Sequence, residues 1–300
     1  MPLTQHQTAY LQIHIAVILF GFTAILGDLI QLPAVVLVWW RVLITSVSLL
    51  FFIQFGKSLI QIPKKQIRTY IIIGILIGLH WICFYGAIKL SNASIALVCM
   101  STTSLFTSLI EPIFFRTKVN KLELILAASV IPGMLLIVNN INTTYINGLW
   151  VGLAAALLAA IFSSLNKVNI KGADPYSISF IELCSAWMMI SLLLSIMWIF
   201  GYQADTFLPN NTSDWVYLII LALLCTTLAQ VLTLKSLHHL SAFAVNLVIN
   251  LEPVYGILMA IFILNDHKEL SPMFYLGGGI ILLSVMMYPY LHKKFNASTI

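Results

Sequence analysis

The sequence predicts an all-α integral membrane protein of ten transmembrane helices arranged as two inverted five-helix repeats. Composition is the first reason. Of 300 residues 60% are hydrophobic and 8% charged, where a soluble domain carries about a quarter charged. The second is length: ten apolar runs reach the ~20 residues needed to cross a bilayer as a helix. The third is a weak internal likeness between the two halves, each of which holds an odd number of spans.

In order, the runs cover residues 10–27, 34–55, 69–88, 94–115 and 122–140, then 148–167, 176–200, 215–234, 242–264 and 271–291. Short connectors with Gly, Pro or Asn separate them, such as Gln31-Leu-Pro33, Asn139-Asn140 and Asp174-Pro175. Ten spans put both termini on one side. The Lys and Arg residues choose that side: all but Arg41, Lys89 and Lys268 fall in the loops shared with the termini. The positive-inside rule therefore predicts cytoplasmic termini in a cell membrane. The net charge of +5 reports topology in this reading, and no nucleic-acid partner is expected. Met1 to Tyr10 lacks Lys and Arg, which argues against a cleaved signal peptide. Cys83, Cys99, Cys184 and Cys225 all lie in apolar runs without metal-ligand spacing, so packing is their expected role.

Aligning Ala87-Ile-Lys-Leu-Ser-Asn-Ala93 with Ser236-Leu-His-His-Leu-Ser-Ala242 sets the third and fourth spans on the eighth and ninth. The same register pairs Trp81 with Gln230, Ser101 with Asn250, Ser104 with Pro253 and Thr117 with Asp266. Pro33 and Pro175 likewise precede the second and seventh spans. Five spans per copy force the second copy to run inverted, the arrangement in which secondary transporters bind solute near the midplane. Predicted domains are residues 1–141 and 142–300.

The ninth run carries Asn246, Asn250, Glu252 and Pro253 at mid-depth. A charge at the helix centre costs several kcal/mol in hydrocarbon, with estimates from roughly 3 to above 10. Proline removes a donor and frees the carbonyl of Ile249. Such features survive only where a helix faces protein or a water-filled cavity. Asn246, Asn250 and Pro253 share one face by their spacing, while Glu252 sits about a quarter-turn away. Ser101, Ser104, Ser108 and Glu111 make a matching stripe on the fourth span. Small hydroxyl residues also serve close helix packing, so the stripe is either a cavity wall or a packing face. Glu111 lies near Arg116 and is expected to snorkel.

Arg41 and Glu182 occupy similar places in the second and seventh spans, but at opposite depths. At 1.5 Å per residue that leaves on the order of 10 Å between them along the membrane normal, so separate structural or gating roles are expected. His80 is a buried, satisfied histidine or a functional one. Trp81, Tyr85 and Trp40 are packing aromatics or pocket walls. His14 and His238-His239 read as structural or interfacial.

Leu19-Phe-Gly21-Phe-Thr23, Pro33 with Trp40-Arg41, and Gly86-Ala87-Ile with Ala93 and Ala96 resemble the EamA-type members of the drug/metabolite transporter superfamily. So do Ala242 with Glu252-Pro253 and Asn265-Asp266 with Gly277-Gly278-Gly279. The resemblance spans the chain. It implies ten helices in two repeats, a small-molecule solute such as an amino acid, and efflux as the default direction. Family members often have Trp-Gly in the first helix, where this chain has Phe20-Gly21. Their Gly-Glu pair appears as Asn265-Asp266 after the ninth span and as Arg116-Thr117 after the fourth. No single member's substrate is therefore carried over.

The candidate solute-binding residues are Thr23, His80, Trp81, Ser101, Ser104, Gln230, Asn246 and Asn250. Glu252 is the candidate coupling residue, able to load a proton on one side and release it on the other, or else to bond across the proline break. Arg41, Glu182 and Pro253 are candidate structural or gating residues. No cofactor or metal is expected, and a monomer or homodimer in the lipid bilayer is the expected form. No nucleotide-binding loop is present, which disfavours an ATP-driven pump. An intramembrane enzyme using His80 and Glu252, and a non-transporting partner or sensor subunit, are the alternatives.

Overall fold

A computed structural model describes residues 4–53, 62–115, 130–169, 173–201, 206–237, 239–240, 245, 248–249, 251–268 and 270–296. The helices are α1 (Gln5–Leu29), α2 (Ala34–Leu49), α3 (Lys64–Leu90), α4 (Ala93–Ser101), α5 (Thr103–Phe115), α6 (Val130–Val138), α7 (Ile146–Asn169), α8 (Pro175–Ile199), α9 (Thr212–Ala222), α10 (Ala229–Leu237), α11 (Glu252–Ile263) and α12 (Pro272–Asn296). The described residues contain no strand. Among the described residues five helices are long and apolar enough to cross a bilayer, or six when the bent pair α4–α5 is counted as one span. The chain is a multi-pass membrane protein.

Sequence signals set the helix starts. Thr4 and Gln7 form a reciprocal capping box, Thr4 N–H donating to Gln7 Oε1 at 3.0 Å and Gln7 N–H to Thr4 Oγ1 at 3.3 Å. Pro33 and Pro63 stand at the caps of α2 and α3. Asp174 accepts from the Tyr176 N–H at 3.0 Å, with Pro175 at the first helical position.

The fourth span departs from the continuous helix expected over 94–115. It breaks at Thr102, whose hydroxyl donates to the Cys99 carbonyl at 2.6 Å, and the two halves bend by 43°. The ninth span also breaks, at Leu251, where an N–H bond to Val248 O of 3.0 Å closes a tight turn before α11 begins. Pro253 was expected to interrupt a helix. It stands instead in the first turn of α11, where a missing N–H deprives no carbonyl and the fixed φ favours helix. The eighth span carries a third irregularity, a π-helical turn over Leu223–Leu228 between α9 and α10. The second span ends at Leu49 rather than near residue 55. Residues 122–129 of the fifth expected span lie outside the described residues.

α3 packs on α7 and α8, while α10 packs on α1 and α9 on α2. α4 and α5 pack on α7, and α11 on α1. α2 meets α8, α6 meets α12, and α4 meets α11. Glycine permits the closest crossings: a Cβ at Gly21 would lie 2.9 Å from the Gly256 nitrogen, and one at Gly133 2.7 Å from the Gly277 carbonyl oxygen.

Candidate functional site

The heart of the molecule is Arg41 on α2, with 3% of its surface exposed. A buried guanidinium needs its donors occupied and its charge offset. Its Nε donates to Thr226 Oγ1 at 2.9 Å and its Nη1 to the Tyr85 hydroxyl at 2.6 Å. The Trp81 ring lies under it, 4.2 Å from centroid to Cζ, and a desolvated cation–π contact of this kind contributes about 2 kcal/mol. Trp81 and Tyr85, four apart on α3, present one face to Arg41.

Thr226 is available because of the π turn. Its hydroxyl donates to the Leu221 carbonyl five residues back at 2.7 Å, and Thr227 does the same to Ala222 at 3.0 Å. Widening the helix this way turns both threonines toward α2, where Ser48 Oγ meets Thr227 Oγ1 at 2.7 Å and Thr45 donates to Ala222 O at 3.2 Å. Pi-helical turns recur at functional sites. Nothing in the sequence singled out Thr226. Five-residue back-bonding has no spacing signature.

Glu252 opens α11 one turn from the Gly21–Gly256 crossing. Its carboxyl is within electrostatic reach of Arg41 without an ion pair. Thr23 on α1 donates to Phe20 O at 2.6 Å and also contacts the Tyr85 hydroxyl. So Thr23, Arg41 and Trp81, scattered over three sequence spans, come together with Tyr85 and Thr226, and Glu252 lies within electrostatic reach of the cluster.

Other candidates lie elsewhere. His80 faces α7, its Nδ1 2.9 Å from Ala155 O and its ring edge-on to Phe162 at 5.3 Å; it is not brought to Glu252. Ser101 Oγ donates to Val98 O at 2.6 Å on its own helix. Gln230 reaches Ser179 Oγ on α8 at 3.4 Å. Asn246, Asn250 and the Ser104 side chain lie outside the described residues. Pro253 is buried behind Glu252.

Glu182 on α8 is 3% exposed and makes no ion pair with Arg41. It bonds to Asn166. Glu111, expected near Arg116, pairs with Lys167 at 2.9 Å, and Arg116 lies outside the described residues. Asp266 caps α4, accepting from Ser94 N–H at 3.1 Å and Ser94 Oγ at 2.6 Å. No group of three metal-ligating side chains occurs among the described residues.

A multi-helix membrane bundle with a buried cation, a neighbouring carboxyl and two interrupted helices has the form of a solute transporter. The EamA-like transporter family model matches twice, over residues 7–139 and 146–288, and the chain belongs to that family. The "Uncharacterized transporter YxxF" of Bacillus subtilis (strain 168) is 22% identical over 267 residues, covering 85% of this chain and 81% of the relative. A solved structure described only as "Crystal structure of protein" matches with a TM-score of 0.65 at 15% identity, over 94% of this chain and 97% of that one. At that identity the likeness is one of fold. The protein is a membrane transporter.

Proposed function

We propose that the protein is a secondary carrier exporting a small organic solute, such as an amino acid, across the cytoplasmic membrane. It works by alternating access between two inverted repeats, residues 1–141 and 142–300, with both termini cytoplasmic. The observation that carries this reading is the pair of helix breaks. Thr102 and Leu251 fall on each other in the register that pairs Ser101 with Asn250. Interrupted helices meeting at mid-depth are where secondary transporters hold solute and coupling ion.

Helix contacts support the repeat. Exchanging each of the first five spans for its counterpart in the second turns α3–α7 into α10–α1, α3–α8 into α9–α2 and α5–α7 into α11–α1, all packed pairs. The exchange fails for two pairs: α2 packs on α3, with no closely packed counterpart between α8 and α9 or α10 among the described residues. α1 also packs on α3, where a Cβ at Gly27 would run into the Tyr85 ring. The counterpart, α7 on α10, is not among the closely packed pairs of the described residues.

Glu252 is the coupling residue in this reading. It begins the second half-helix, within electrostatic reach of the buried cation, so its charge state and the solute's bear on one site. The test is uptake of a panel of radiolabelled amino acids and small organic acids into vesicles of purified protein under an imposed pH gradient. Wild type accumulates a member of the panel, and Glu252→Gln exchanges it at equal concentrations without accumulating it. A wild type that moves nothing in the panel contradicts the reading.

A further inference from the structure

Glu182 poses a problem that the Arg41 cluster does not solve. It is buried to 3% exposure in α8, and its Oε1 has no hydrogen-bond partner. Asn166 on α7 supplies a bond to the carboxyl. Behind it α3 crosses backbone to backbone, since a Cβ at Gly74 would run into the Glu182 carbonyl. No water layer fits on that side.

Among the described residues the charged neighbours give it no counter-ion. On α3, Tyr70 is the titratable group facing Glu182, and its hydroxyl donates instead to Asn169 O at 3.0 Å. Lys64, Lys65 and Arg68 are exposed at the start of that helix. His80 turns to Ala155, and Lys167 on α7 pairs with Glu111. Arg41 on α2 is held by Tyr85 and Thr226. From α10, Gln230 reaches Ser179, not Glu182.

A buried carboxylate is tolerated when it is paired or accepts several donors, and is otherwise several kcal/mol worse than its neutral form. Calcium or magnesium would need a shell of six or more oxygens, and the described residues hold no group of three metal-ligating side chains. We infer that Glu182 is a second proton-binding site, carried as the neutral acid while α3 and α8 are in contact. The step is simple protonation: one oxygen forms an O–H bond with a proton from hydronium, water is released, and nothing is oxidised or reduced. The inference depends on the burial of α8, not on the transport reading or on Glu252.

Infrared difference spectroscopy of the solute-free protein in lipid at neutral pH tests it. The expected result is a protonated-carboxyl band that Glu182→Gln removes, that Asn166→Ala shifts by deleting its hydrogen-bond donor, and that Glu252→Gln leaves in place. A band indifferent to both Glu182→Gln and Asn166→Ala overturns the assignment, as does a spectrum without such a band. Should Glu182→Gln fail to fold, the Asn166→Ala shift decides alone. Because no solute is used, a band without transport would sink the carrier reading and leave the proton site standing.

Discussion

The two broken helices share a backbone and differ in chemistry. At the first break, Thr102 bonds back to Cys99 and the second half starts with Thr103, whose hydroxyl is buried without a partner. At the second, Leu251 closes the turn and the second half starts with Glu252-Pro253. Thr103 and Glu252 are repeat counterparts in the Ser101–Asn250 register. A helix start favours negative charge through its unpaired N–H groups and dipole, by about 0.3–1 kcal/mol and more when buried. The first copy leaves that preference unused, and the second fills it with Glu252. The shared geometry is what a repeat supplies. In the proposed carrier, the carboxyl makes one copy the coupling half.

The largest expected effect removes the geometry. Gly21→Leu would press a side chain into the Gly256 backbone, 2.9 Å from where even a Cβ would sit. Overpacking costs typically 1–3 kcal/mol, and backbone cannot yield as a side chain does. Folded protein recovered on size-exclusion chromatography should fall severalfold, whereas Gly279→Leu, which meets nothing within 4 Å, should behave as wild type.

Next comes the cation. Arg41→Met should lower flux at least tenfold while the protein still inserts, and Arg41→Lys should restore little. Lysine cannot present a planar fork to Tyr85 and Thr226 while lying flat on Trp81. Full activity in Arg41→Lys would show that only charge matters. Moving the carboxyl sharpens the comparison further. Thr103→Glu with Glu252→Thr should retain solute exchange and lose accumulation, because Arg41 is placed to act on the second break. Thr226→Val is the mildest change. It removes one acceptor from the guanidinium, about 1–3 kcal/mol for a charged bond, and should lower flux by a few-fold without altering yield.

Much of the fold was legible because a bilayer imposes length and apolarity on every span, and because Pro33 and Asp174-Pro175 mark helix starts by known chemistry; Pro63, which starts α3 five residues before the expected 69, went unread. The breaks were legible unevenly. Pro253 drew attention to the right place but for the wrong reason, since it begins a helix rather than disrupting one. Thr102 carried no signal, because a threonine bonding its own backbone resembles any other threonine in a membrane helix. In the site, Arg41 and Glu252 stood out as charges that hydrocarbon would not tolerate. Thr226 stayed hidden, since a π turn is set by packing against α2. His80 looked equivalent to Trp81 in sequence, yet one residue rotates the side chain by about 100°, from the Arg41 face to the α7 interface.

The central claim is inversion of the second repeat, and it is tested by two exposed repeat counterparts, Leu90 at the end of α3 and His239 after α10. Single cysteines there, in a background without the four native ones, are treated in intact cells with a membrane-impermeant maleimide. The account predicts that Leu90→Cys reacts from outside and His239→Cys only after the membrane is opened. Reaction of both from the same side would contradict it.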